Sequence, residues 1–141
     1  MRLRDDESGG SLVEFAVTLP LLFTLVFCFM EMCLVFYTYQ TISECAREGT
    51  RYAMFRGASC TTTAGGSCTA TSTQVNGYVS GLVWPNAGGG TMTVATTYPD
   101  GNEAVGSRVQ VKMTYVFPIY MPFVPTHSLT MASASLVYIV Q

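Results

Sequence analysis

Residues 8–53, SGGSLVEFAVTLPLLFTLVFCFMEMCLVFYTYQTISECAREGTRYA, decide how this chain is read. Gly9 and Gly10 precede an apolar run that opens with an acidic residue, Glu14, and residues 15–30 then carry no charge. A helix over that run rises about 24 Å, short of the roughly 30 Å hydrocarbon core of a bilayer. Leu12 and Val13 lengthen it at one end and residues 32–39 at the other. The segment therefore spans a membrane only with Glu14 or Glu31 near the hydrocarbon. A carboxylate there costs about 2.5–3.5 kcal/mol on insertion scales, so such a residue is usually functional or paired.

Working outward, Val35, Tyr39, Ile42, Ala46, Gly49 and Ala53 recur at alternating spacings of four and three. That is one face of an amphipathic helix continuing to about residue 56, with the ion pairs Glu44–Arg47 and Glu48–Arg51 on other faces. Pro20 removes one i→i−4 hydrogen bond and predicts a kink in the anchor, either a tolerated one or a weak point that bends as the helix leaves the bilayer. Ser11-Leu-Val-Glu14 has the form of a capping box at a helix start. With the membrane centred near Phe23, Glu31 lies about 12 Å away. There it either snorkels or pairs with a partner.

Gly9, four residues, then Glu14-Phe15 is the G-x-x-x-x-E-F pattern of a type IV pilin-like precursor. GSLVEFAVTLPLL from Gly10, Glu31, and ISECAREGTRYA from Ile42 together resemble the TadE family, the pseudopilins of tight-adherence (Flp/Tad) pilus systems. The resemblance is sharp over residues 9–53 and general beyond them. It implies cleavage by a prepilin peptidase between Gly9 and Gly10, which makes Glu14 the fifth mature residue. The chain then divides into a leader (1–9), a transmembrane helix (10–39) and an extracytoplasmic pilin-like head (40–141). The Glu14 carboxylate would meet a positively charged terminal amine during assembly, and Glu31 occupies the family's second acidic position. The implied partners are the prepilin peptidase, other pseudopilins, the major pilin and an inner-membrane secretion platform. The implied location is a bacterial cytoplasmic membrane, crossed once. Charge hardly orients the span, since Arg2 and Arg4 precede it while Arg47, Arg51 and Arg56 follow it. The apolar run is too long for a secretory signal, and Phe27 before Cys28 rules out a lipoprotein site.

Only 11% of the 141 residues are charged and the net charge is −2, so the chain carries no nucleic-acid footprint. After Gly57 the charged residues are Asp100, Glu103, Arg108 and Lys112, in a background of Thr, Ser, Gly and apolar residues that suits a small β-rich head. Cys28 and Cys33 lie in the apolar helix and Cys45 on its continuation, while Cys60 and Cys68 flank TTTAGGS. In an extracytoplasmic head that last pair can form a disulfide worth about 2–3 kcal/mol, against the alternative of two free thiols.

Residues 73–83 read as a short helix ended by Trp84-Pro85-Asn86 and Gly88, Gly89 and Gly90. Residues 91–98, 107–117 and 129–140 read as strands, with a turn at Pro99-Asp100-Gly101. The fold class is therefore α+β: a long N-terminal helix packed on a small antiparallel sheet of about three strands. In FPIYMPFVP (117–125) three prolines argue against a central strand. Ile119, Tyr120, Met121, Phe123 and Val124 there either form a contact surface, for a neighbour or for lipid headgroups, or fold back onto the core. His127 stands without an acidic cluster, no phosphate-binding or metal-ligand pattern is readable, and Glu14 and Glu31 are about 25 Å apart along a helix. We expect a protein that is not an enzyme and takes no cofactor, metal or small-molecule substrate. It would work either as a pilus subunit or as a single-pass envelope protein with a binding head.

Overall fold

A computed structural model describes residues 7–82, 89–120 and 125–141. Helix α1, Glu7–Met54, is 48 residues long and runs unbroken through Pro20. It has two halves with different surroundings. From Gly9 to Leu34 every residue is exposed except Leu19 and Glu31, which are half-buried. From Val35 onward one face is covered by the head. Four further elements make up that head with it: helix α2 (Ser72–Leu82) and strands β1 (Thr91–Thr97), β2 (Arg108–Ile119) and β3 (His127–Tyr138) lie around its C-terminal half. The strands form an antiparallel sheet in the order β1-β2-β3, with Thr96 opposite Val111 and Val111 opposite Ser135.

The alternation in β2 explains the two-layer packing. Val109, Val111, Met113, Tyr115 and Phe117 point to one face and are buried. Side chains of a strand alternate between faces, so this single strand supplies the floor of the core. Against it lie Ile42, Cys45, Ala46 and Ala53 of α1 and Val75 and Val79 of α2. Helix and sheet approach closely at Gly49, where an added Cβ would collide with a Val79 methyl and lie 3.3 Å from Val111 Cγ1. The other face of the sheet carries Arg108, Lys112, Ala132, Ala134 and Leu136 and is open.

The end of α1 is tied to the end of the chain. The Val140 N–H donates to Met54 O at 3.1 Å, and the Thr50 and Ser135 hydroxyls share a hydrogen bond of 3.0 Å. The first of these contacts satisfies a carbonyl at the helix end that would otherwise lack a partner. At the same end Arg56 sits over the Tyr52 ring at 4.3 Å, and Tyr52 stacks on Tyr78 of α2 at 4.1 Å. Cys60 is disulfide-bonded to Cys68, with Cα atoms 5.2 Å apart. The turn after β1 is closed by Gly101 N–H donating to Tyr98 O, with Gly101 at a positive φ of 72°.

Several expectations need correction. The buried stripe of α1 runs through Thr38, Ile42, Cys45, Ala46, Gly49, Thr50 and Ala53, whereas Tyr39 is 45% exposed. Two threonines replace the expected apolar residues because their hydroxyls return to the helix: Thr38 Oγ1 donates to Leu34 O and Thr50 Oγ1 to Arg47 O, each at 2.8 Å. Of the two expected ion pairs, Arg47–Glu44 forms at 3.0 Å and Glu48–Arg51 does not. Ser11 does not cap a helix start, since α1 begins at Glu7. A capping box occurs instead at Thr71 and Gln74, where Gln74 N–H donates to Thr71 Oγ1 and Thr71 N–H to Gln74 Oε1.

Proline at 118 does not end β2. Thr91 pairs with Val116, the last β2 residue opposite β1, so Pro118 lies where β2 has a neighbour on one side alone. That is an edge setting, which tolerates proline. The expected helix stop at Trp84, Pro85, Asn86 and Gly88 lies outside the described residues, as do Met121, Phe123 and Val124 of the apolar segment.

Candidate functional site

The features singled out in the sequence are strung along α1, not gathered in a cleft. Gly9 and Gly10 lie in its first turns, exposed, and a Cβ added to either would meet nothing within 4 Å. Glycine in a helix interior costs about 1 kcal/mol relative to alanine, so two unneeded glycines weaken the start of α1 for no packing gain. The expected leader, residues 1–9, lies largely outside the described residues. One helical turn beyond Gly10 is Glu14, also exposed.

Pro20 has no N–H to give the Ala16 carbonyl, yet the helix continues across it. Around it the polar side chains are satisfied locally. Thr18 Oγ1 donates to Glu14 O at 2.9 Å, and Thr24 Oγ1 donates to Pro20 O at 2.8 Å. Hydroxyls bonded back to their own helix can sit in hydrocarbon without an unpaired donor. An open apolar groove runs along this face, lined by Val17, Pro20, Leu21, Thr24, Leu25 and Cys28 among others.

Glu31 differs from Glu14. It shares the helix face of Val35, Thr38 and Ile42, directly beneath the head. One of its carboxylate oxygens, Oε2, is buried without a hydrogen-bond partner. The sequence reading placed this residue at an interface and missed the signal that its own surroundings would cover it. That signal lay in the i, i+4, i+7 spacing from Glu31 to Val35 and Thr38. The structure therefore keeps the two acids apart, one open near the helix start and one half-covered where the head begins.

The remaining titratable groups among the described residues are scattered. His127 is exposed at the start of β3, and among the described residues no three potential ligands converge on a metal-sized site. Asp100 forms a two-pronged ion pair with Arg108, with Nη2–Oδ1 at 2.7 Å, and also accepts the Arg108 backbone N–H at 2.8 Å. This pair, which the sequence reading missed, clips the turn after β1 to the start of β2. The side-chain hydrogen bond from Arg108, followed by its backbone N–H, holds the Asp100 carboxyl below the usual carboxylate range.

A small two-layer α+β head stands on one unbroken helix, α1, which is long and apolar enough to cross a membrane. The family described as TadE-like protein matches residues 9–51, the stretch holding Gly9, Glu14, Pro20 and Glu31. That match points to a Tad-pilus-associated protein with an N-terminal membrane helix. It ends before the sheet, so the head is understood from its own physics. No curated protein and no solved structure shows significant similarity to the chain.

Proposed function

We propose that this chain is a minor pilin, a pseudopilin that takes part in building a tight-adherence type IV pilus through α1. The observation that carries the proposal is the contrast within one helix. Beyond Val35 its buried face belongs to the head core, whereas from Gly9 to Leu34 its apolar side chains, apart from the half-buried Leu19, are exposed. So much exposed apolar surface must be covered by lipid or by other helices. A helix continuous from anchor to head suits a subunit that moves from the bilayer into a bundle of sister helices without refolding.

That transfer exchanges one apolar environment for another, so packing and charge pairing have to supply selectivity. Prepilin peptidase would cut between Gly9 and Gly10, at the helix start that the two glycines weaken. The new terminal amine of one subunit would then pair with Glu14 of another, each charge offsetting the other's desolvation. Glu31, with its unpartnered oxygen, would receive a donor from a partner pseudopilin. The head would face away from the cytoplasm, where the Cys60–Cys68 disulfide survives.

Mass spectrometry of protein extracted from membranes of a host with an active prepilin peptidase tests this. A mature N-terminus at Gly10 is expected. Retention of residues 1–9 would refute it and would favour a single-pass envelope protein that never enters a filament.

A further inference from the structure

The head has a polarity along α1. Ser135 of β3 meets Thr50, and five residues later Val140 meets Met54, so β3 advances in the same sense as α1. The opposite end of the β2–β3 ladder, where Ile119 pairs with His127, therefore points back toward the anchor. The core on that side reaches Val35 and includes Thr38, 6% exposed. Val35 lies five residues past Met30, the end of the charge-free run, or about 7–8 Å along the helix. The near end of the sheet thus stands close to where α1 would emerge from hydrocarbon.

The chemistry changes along the same direction. From residue 113 to residue 141 the sequence has no Asp, Glu, Lys or Arg, and residues 32–43 of α1 have none either. Arg108 and its partner Asp100 belong to the far end of the sheet, where Arg108 pairs with Tyr138. At the near end large apolar side chains are uncovered. Tyr120 is 62% exposed and Tyr37 66%. Leu129 shares the core-facing side of β3 with Met131, yet is 41% exposed. Tyrosine concentrates at membrane–water interfaces, where the ring meets acyl chains and the hydroxyl meets water and headgroups.

We propose that the near end of the head, presented by Tyr37, Tyr39, Tyr120 and Leu129, seats in the interfacial layer of the same phospholipid bilayer that α1 crosses. This rests on the membrane-anchor reading and adds to it a second contact with the lipid, made by the sheet. Two contacts fix the inclination of the head, which a lone helix leaves free. The surface is continuous with the anchor, which makes lipid its occupant.

The test uses full-length protein in phosphatidylcholine–phosphatidylglycerol vesicles whose acyl chains are brominated close to the headgroups. In a Trp84→Phe background, single tryptophans replace Phe23, Tyr120 or Tyr138, each variant first checked for native near-UV circular dichroism. Tyr138 is the control: it is 60% exposed and lies at the opposite end of β3 from His127, about 36 Å away. Phe23→Trp and Tyr120→Trp are expected to lose emission to the bromines and shift to the blue, while Tyr138→Trp does neither. Quenching at position 23 with none at 120 would overturn the proposal and leave the anchor standing. A blue-shifted but unquenched Tyr120→Trp would mean that protein covers this end, and would also overturn it. Absence of quenching at position 23 would remove the anchor reading itself.

Discussion

The close approach of α1 to α2 and β2 can be tested with two glycines that differ in a single respect. Gly49 and Gly77 both lie in helices, and neither has a positive φ. Replacing a helical glycine by alanine removes backbone freedom from the unfolded chain and stabilises by about 1 kcal/mol where space allows. At Gly77 an added Cβ meets nothing within 4 Å, so Gly77→Ala should gain that amount. At Gly49 it collides with a Val79 methyl and lies 3.3 Å from Val111 Cγ1. Overfilling a packed site costs about 1–3 kcal/mol, so Gly49→Ala should come out between neutral and roughly 2 kcal/mol destabilised. Because Val79 is β-branched and fully buried, it has little freedom to turn aside. Combining Gly49→Ala with Val79→Ala should recover about 1–2 kcal/mol relative to the sum of the single changes, since the two sites touch. Denaturant titration of the full chain in detergent, followed by near-UV circular dichroism, reads all four variants. Equal stabilisation by Gly49→Ala and Gly77→Ala would refute the packing of α1 against α2 and the sheet.

Other outcomes follow from the same contacts. Met113→Ala, at a fully buried site on the central strand, should cost about 2–5 kcal/mol in that titration, whereas Lys112→Ala beside it should change little. Reducing the Cys60–Cys68 disulfide should lower head stability by about 2–3 kcal/mol, and an unchanged midpoint after reduction would count against it. Asp100 titrates below its ordinary value of 3.8 because Arg108 hydrogen-bonds its charged form, so the folded chain binds fewer protons there than the unfolded one. The stability it contributes is complete above that ordinary value and is lost as the pH falls through the lowered one. Asp100→Asn should accordingly flatten the acid limb of a stability–pH curve, and an unaltered limb would dismiss the pair. Glu14→Ala should insert into membranes normally and fail in pilus assembly, as scored by surface filaments. Normal filaments from that variant would remove the proposed charge pair.

Much of this architecture was legible because its signals are periodic. Phe15 to Met30 announces an apolar helix by composition alone, and Val109 to Phe117 announces a half-buried strand by strict alternation. Misreadings arose where burial was decided by partners distant in sequence. Thr38 and Thr50 look polar, yet each sends its hydroxyl back to a helix carbonyl and can lie under the sheet. Tyr39 looks apolar but is displaced around the helix from the face that β2 and β3 cover. Pro118 argues against a strand only if β1 extends alongside it, and nothing local tells where β1 begins. The candidate site divides in the same way. Gly9 and Glu14 are legible as a spacing, whereas the unpartnered oxygen of Glu31 appears only once the head is seated above it.

The tie between the last strand and the helix end bears on how this molecule carries load. β3 runs alongside α1 in the same sense and is joined to it at Thr50, Val140 just past the strand's end is bonded to Met54, and the residues of β3 pair with β2 along the full length from Arg108 to Ile119. Traction on the anchor, with the head held by its surroundings, therefore pulls lengthwise on that ladder. All of its cross-strand bonds resist together, as in a lap joint under shear, and none is peeled open ahead of the others.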